Sequence, residues 1–229
     1  MANHRRIRPA AGLLALAVAL ALPAVAAAAI HVSVRVEAPT RTVVQTVDMP
    51  FTGTLQGHRL TGPTALGGLV AASRRSGFPV GLQWFDCCGF FVDSIAGLAG
   101  DANHYWAFKV NQRLAPLGAG STTVRARDRV LFYYTAYKAA TGATQPTLGL
   151  QVSTASPAAG GSVLFTVHSW NDAGVPSPAA GAWVWVNGVG TRVDSRGQAL
   201  LAFGRAGTFA VRATRPGAIR SQTVWIHAS

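Results

Sequence analysis

The chain has two cysteines, Cys87 and Cys88, and they are covalent neighbours in the stretch Phe85-Asp86-Cys87-Cys88-Gly89-Phe90. A thiol can ligate a metal, act as a nucleophile or form a disulfide. Zinc needs further ligands, which the surrounding sequence does not supply. A nucleophile needs a base, and none stands nearby in sequence. Oxidation is what remains, either between two chains through an exposed tip or between the neighbours themselves. Consecutive Cα atoms lie about 3.8 Å apart, whereas a disulfide usually spans roughly 4.4–6.8 Å. A ring closed here is tight, but it suits an oxidising compartment and a stiff turn. An intramolecular vicinal disulfide is therefore favoured over a free or intermolecular pair.

Other reactive constellations are sparse. Beyond the N-terminal segment the histidines are His31, His58, His104, His168 and His227, with no two at ligand spacing. The eight acids are dispersed, so no opposed carboxylate pair stands out. Asp101 and His104 in GDANHYW share a loop, but two ligands do not make a metal site, and a polar turn entering a strand accounts for them. Asp194-Ser195-Arg196-Gly197 has turn chemistry and lacks the spaced acids of a calcium loop. The expectation is a protein that is not an enzyme, with no catalytic residue and no metal.

The compartment follows from residues 1–29. Arg5, Arg6 and Arg8 precede the apolar run AAGLLALAVALAL and the small-residue end PAVAAAA, the pattern of an export signal with a cut expected after Ala29. The run is short for a spanning helix, which needs roughly 20 residues. An extracellular or cell-envelope protein is expected, with no stable membrane span once the signal is removed, and there disulfides persist. Of the 20 basic residues, 17 follow the signal against 8 acids, a charge of +9. They are scattered and form no stripe interleaved with stacking aromatics, which argues against nucleic acid and leaves anionic envelope polymers as a partner class.

The elements that must hold these residues are mostly strands. HVSVRVEAP alternates Val32, Val34 and Val36 with Ser33, Arg35 and Glu37, a half-buried strand, and TVVQTVDM is expected to pair with it as a hairpin. One helix is expected, capped by Thr64, carrying Leu66, Leu69 and Val70 at helical spacing and ended by Gly77. PVGLQW and FFVDSI flank a turn from Asp86 to Gly89 that would put both cysteines at its central positions. HYWAFKV and DRVLFYYTAY are apolar on both faces, as central strands or partner-facing strands are. After the small-residue linker, seven short strands separated by Gly, Pro and Asn-Gly turns form a β-sandwich signature. They are TLGLQVS, SVLFTVHS, AWVWVNGV, GTRVDSRG, QALLAF, GTFAVRAT and SQTVWIHA. In one of them Trp183 and Trp185 alternate with Val184 and Val186, so one pair is expected inside.

The succession VSVRVEAPTRTV, TALGGLVAA, GFFVDSIAGLAG, HYWAFKVNQR and ARDRVLFYYT resembles the small β domain at the C-terminus of transcobalamin and intrinsic factor, widespread in secreted bacterial proteins. The resemblance covers residues 31–137 and is most specific at Tyr105, Trp106, Val110, Asn111 and the strand Val130 to Tyr134. The chain departs from that pattern at Arg127-Asp128, where Gly-Asp is usual, and at Gly67, where an acid is common; the cysteine pair is not part of it. In transcobalamin this domain covers cobalamin against a helical barrel that has no counterpart in this chain. The resemblance therefore implies a surface for a corrinoid or another flat ligand and carries over no contact residues. Trp106 and Tyr134 are expected in the core. The later stretch GAWVWVNGVGTRVDSRGQALLAF is similar to bacterial Ig-like and carboxypeptidase-regulatory-like modules, which implies no chemistry.

The expected organisation is a signal peptide (1–29), a mainly β first domain with one short helix (30–138), a linker (139–146) and an all-β, Ig-like sandwich (147–229). The expected function is a secreted, non-catalytic binding protein for a corrinoid or similar small molecule, requiring no cofactor. Its ligand surface is expected at Trp84, Phe85, Phe90, Phe91 and Tyr105 around Cys87 and Cys88. The rival is a structural or adhesive envelope protein whose domains act as spacers and whose basic surface holds anionic wall polymers.

Overall fold

The structure, a computed structural model, describes residues 30–40, 42–48, 50–137 and 141–229, with the backbone alone for 44–48. The expected export signal and residues 138–140 lie outside this range. The fold is mainly β with one helix, and no described sheet mixes strands from the two sides of residues 138–140. We refer to the two sides as the first and second modules.

The first module opens with β1 (Val32–Glu37) and β2 (Thr42–Asp48), the antiparallel pair expected from their alternation. Two short strands, β3 (Gly53–Leu55) and β4 (His58–Leu60), lead to α1 (Ala65–Ser76). The Thr64 hydroxyl accepts the Gly67 amide at 3.1 Å, satisfying one of the free amides of the first turn. Gly77, at φ 71°, ends the helix by donating its amide to the Ser73 carbonyl. Gly67 and Gly68 weaken the helix by propensity but let it lie close to its neighbours. A Cβ at Gly67 would strike the Phe51 carbonyl, and one at Gly68 would stand 3.1 Å from Val34.

A three-stranded sheet follows, made of β5 (Val80–Phe85), β6 (Gly89–Ile95) and β7 (Leu98–Ala99). Then come β8 (His104–Val110), β9 (Arg113–Leu114) and β10 (Arg129–Ala136). The main sheet runs β2-β1-β10-β8-β9, so the two aromatic strands are inner strands, with β10 parallel to β1 and antiparallel to β8. Its helix-facing side joins Val32, Val34, Val36, Phe132 and Tyr134 to Leu66 and Leu69 in one core. Complete burial of each of those leucines contributes roughly 1.5–3 kcal/mol. Trp106 is in this core as expected, its indole N–H donating to the Leu98 carbonyl at 2.8 Å.

The second module is an Ig-like sandwich of two four-stranded sheets. Its strands are β11 (Thr147–Val152), β12 (Ser162–Trp170), β13 (Pro176–Pro178), β14 (Trp183–Val186), β15 (Val189–Arg192), β16 (Gln198–Ala202), β17 (Gly207–Thr214) and β18 (Val224–Ala228). One sheet joins β11, β12, β13 and β16, and the other runs β15-β14-β17-β18. The seven expected strands are present. β13, like β3, β4, β7 and β9, is too short to carry a readable period. Of the Trp-Val alternation the valines face inward: Val184 is fully buried, while Trp183 and Trp185 are exposed. The Trp185 ring lies against Gly190, and its N–H donates to the Thr214 hydroxyl at 2.8 Å.

One expectation fails. β1 is not half-buried, because Arg35 and Glu37 on its polar face are 8% and 2% exposed. The second module covers that face. Arg220 Nη2 donates to Glu37 Oε2 at 2.9 Å and to the Ala38 carbonyl at 3.0 Å, while Arg35 Nη1 lies 3.5 Å from Glu37 Oε1 and donates to the Arg220 carbonyl at 3.3 Å. Alongside, Ala107, Leu131 and Tyr133 pack against Ile219. Lys109 is fully buried there, with Nζ 3.2 Å from Asp172 Oδ1 and donating to the Asn171 carbonyl at 3.2 Å. Burial lowers the Lys109 pKa, partly offset by Asp172.

Candidate functional site

The cysteine pair sits at the tip of the β5–β6 hairpin. β5 and β6 pair antiparallel, with Trp84 opposite Phe90 and Phe85 opposite Gly89. The Cys88 amide donates to the Phe85 carbonyl at 3.0 Å, so the hydrogen-bonded turn runs from Phe85 to Cys88 with Asp86 and Cys87 at its centre. The turn expected from Asp86 to Gly89 is thus shifted by one residue. The cause is Gly89, whose φ of 78° places it after the turn, in the left-handed position that closes three-residue hairpin loops. Asp86 accepts the Trp84 indole N–H at 2.9 Å. The sulfurs of Cys87 and Cys88 are joined as a disulfide across a Cα separation of 3.8 Å, and both residues are exposed.

The period of two sorts the surrounding aromatics. Trp84 and Phe90 share one side of the hairpin, with ring centroids 4.9 Å apart and edge to face. His58 of β4 stacks on Trp84 at 3.6 Å, nearly parallel, which pins the indole from below. Phe90 is buried and belongs to the core. On the other side Phe85 and Phe91 contact each other edge to face at 6.4 Å and stand 47% and 44% exposed. The loop after β9 runs beside the tip: Gly118 approaches the Cys88 carbonyl, and neighbouring Leu117 is 58% exposed. Phe85 and Phe91 therefore form an exposed apolar pair on one side of a braced hairpin, with the disulfide at its tip and Trp84, 37% exposed, on the opposite side.

Of the five aromatic residues expected at a ligand surface, the structure brings Phe85 and Phe91 together there and exposes Trp84 on the other side of the same hairpin. Phe90 is buried beside Trp84, and Tyr105 packs with Tyr137 and against the cluster holding Ile219. At the tip Asp86 is bonded to Trp84, and the exposed rings provide contact area. Elsewhere, Asp101 accepts the amides of Asn103 and His104 at 2.7 and 2.8 Å, and its carboxylate lies 3.1 Å from His104 Nδ1. The Asn103 amide above all, then the His104 contacts, hold its pKa below the ordinary 3.8. This is a turn leading into β8, as its sequence implied. Among the described residues no three of His, Cys, Asp and Glu converge as metal ligands, and no helix is long and apolar enough to cross a membrane.

The residues at the junction of the modules were not singled out as functional in the sequence. A signal was present: Lys109 stands alone in the aromatic strand HYWAFKV, and a lone cation in a two-sided apolar strand requires a buried partner.

Comparison with known proteins adds a domain-level match for the first module. The family model for a domain of unknown function, DUF4430, matches residues 70–136, which include the cysteine hairpin and the β8 and β10 strands. No curated protein matches the chain. Among solved structures the chain is similar to haptocorrin, in a crystal structure of its complex with Cbi, at 18% identity and a TM-score of 0.38, covering 48% of this chain and 26% of haptocorrin. The chain thus spans about a quarter of that protein's length.

Proposed function

We propose that the chain is an exported, non-catalytic binding protein whose contact surface is the tip of the β5–β6 hairpin, carried on a first module of about residues 30–138 and displayed by a second of about 147–229. The observation that carries this reading is the exposure of Trp84, Phe85 and Phe91 around a disulfide-closed turn. Large aromatics exposed together on a braced hairpin present area that loses little side-chain entropy on contact. A flat apolar ligand fits such a patch. A corrinoid is the specific candidate, on the strength of the sequence resemblance. Equilibrium dialysis of the chain from Ile30 to Ser229 against a panel of corrinoids tests it: retention of one, lost in Phe85→Ser and Phe91→Ser, is expected, and retention of none removes the corrinoid.

A second reading rests on the charge of +9 beyond the signal. In it the modules are spacers, and scattered arginines hold the chain near anionic envelope polymers. Retention of this kind fades as salt rises, whereas contact through the apolar tip does not.

A further inference from the structure

A cleft lies between the modules, away from the hairpin tip. It has two chambers, of about 210 and 480 Å³, that share Gln112, Arg129 and Gln222 as a common wall. The inner chamber adds Arg35 of β1, and the outer one adds His168 and Trp170 of β12. Small-ligand sites have volumes of this order, roughly 300–1,000 Å³. Among the described lining residues there is no carboxylate.

Several groups of this wall offer donors, while Gln222, whose N–H₂ donates to the Leu150 carbonyl, offers its oxygen. Arg35 is 8% exposed, yet its two hydrogen bonds to described residues both leave from Nη1. Its Nε and Nη2 make no hydrogen bond to a described residue, and Arg35 is among the residues that line the inner chamber. Buried donors in native proteins nearly always have a partner. Desolvation above all, with Arg212 and Arg220 adding, lowers the Arg35 pKa to about 10 against the opposing Glu37. The Gln112 side-chain oxygen is occupied by the Thr147 hydroxyl at 3.0 Å, so what it has to offer a ligand is its N–H₂ group. The Arg129 guanidinium and the Trp170 indole N–H have no hydrogen-bond partner among the described residues. A Cβ at Gly149 would stand 2.9 Å from that indole nitrogen, so glycine is what lets Trp170 lie against the backbone there.

Gln112 supplies a second, independent observation. It occupies the two-residue turn between β8 and β9, where Val110 pairs with Arg113 and both central residues have positive φ, 50° at Asn111 and 72° at Gln112. Turns of this kind prefer Asn followed by Gly. Glutamine in the glycine position is strained, and strain of this sort collects where a side chain is needed.

We propose that this cleft binds a small hydroxylated oxyanion, a sugar acid or a sugar phosphate. The guanidinium groups of Arg35 and Arg129 take the anionic group, which matches their fork geometry. The Gln112 N–H₂ group and the Gln222 side-chain oxygen take hydroxyls, the Gln222 N–H₂ already donating to the Leu150 carbonyl at 2.7 Å, and the Trp170 ring offers a face to the sugar. The site is independent of the hairpin tip, so failure of either leaves the other intact.

Titration calorimetry on the chain from Ile30 to Ser229 tests this with glucuronate, glucose 6-phosphate, glucose and inorganic phosphate. Saturable binding of glucuronate or glucose 6-phosphate, with glucose and phosphate at least tenfold weaker, is the expected result, and which of the two binds identifies the anionic group. Arg129→Gln should weaken that binding at least tenfold. Gln112→Gly should also weaken it while holding or raising the melting temperature, because glycine suits the turn. The proposal is overturned if neither anionic sugar binds at millimolar concentration, if glucose or phosphate binds as well as they do, or if both variants bind like the parent chain.

Discussion

The hairpin tip and the junction between the modules invert the usual relation between polarity and burial. The tip holds Trp84, Phe85 and Phe91 in solvent, whereas the junction hides Arg35, Glu37 and Lys109. Neither follows from residue type. Each follows from what covers the strand: β5 and β6 have one face on the core and the other open, while β1, β8 and β10 have a helix on one face and a second module on the other. Covering charge is tolerable at the junction because each buried cation has a carboxylate partner: Glu37 lies between Arg35 and Arg220, and Asp172 meets Lys109.

The largest test of that contrast is removal of the cover. A chain ending at Tyr137 would expose Leu131, Tyr133 and Lys109, and it should be recovered aggregated or without a cooperative unfolding transition, whereas deletion of the tip aromatics leaves the fold intact. Next in size, Glu37→Ala strands two arginines and should cost about 3–5 kcal/mol in urea unfolding. Phe90→Ala should cost a similar amount, about 3–5 kcal/mol. Its neighbour Phe91→Ser should stay within about 0.5 kcal/mol of the parent chain, so equal losses for the two phenylalanines would break the comparison.

Acid should act on the junction before it acts on the tip. Burial alone would raise the Asp172 carboxyl, but the Thr144 hydroxyl and amide, together with Lys109, bring it below the ordinary 3.8. A depressed carboxyl gives stability that is fully present above the unfolded value and is lost as pH falls through the folded one. Lys109, also depressed, has its window just below the unfolded value of 10.5, where stability falls as pH drops, so the acid limb belongs to Asp172. The urea midpoint should therefore fall below about pH 4, and Asp172→Asn should flatten that dependence. A small effect on stability is expected from reducing the disulfide. It closes so short a loop that global stability should change by no more than about 1 kcal/mol, while binding at the tip should weaken. Intact mass with thiol trapping fixes the oxidation state of the sample used.

Much of the fold was legible because its determinants are local. Thr64 and Gly77 bracket the helix, the Val-x-Val-x-Val alternation defines β1, and Gly, Pro and Asn-Gly punctuate the sandwich. The site was legible in part. In the pair Phe90-Phe91, a period of two dictates that one ring faces inward, but which one depends on the register with β5. The turn was placed one residue late because Asp86 and Gly89 suit the first and fourth positions of a turn, whereas the hydrogen bond selects Phe85 and Cys88. Burial of Arg35 and Glu37 could not be read from β1 itself, since the side chain that covers them, Arg220, is nearly at the other end of the chain. Arg127 is a smaller lesson. It stands where the resembling domains usually have Gly, and its φ of 73° is the reason glycine suits that position.

The parallel pairing of β1 with β10 has a consequence for how the chain is made. Ser33 lies beside Arg129 and Glu37 beside Tyr133, so the first strand finds its inner neighbour only when nearly the whole module has been synthesised. Ordering so long a loop before the β1–β10 contacts reward it makes that closure slow. Under the proposed export, that delay would leave the leading strand without its inner neighbour until β10 has followed it out.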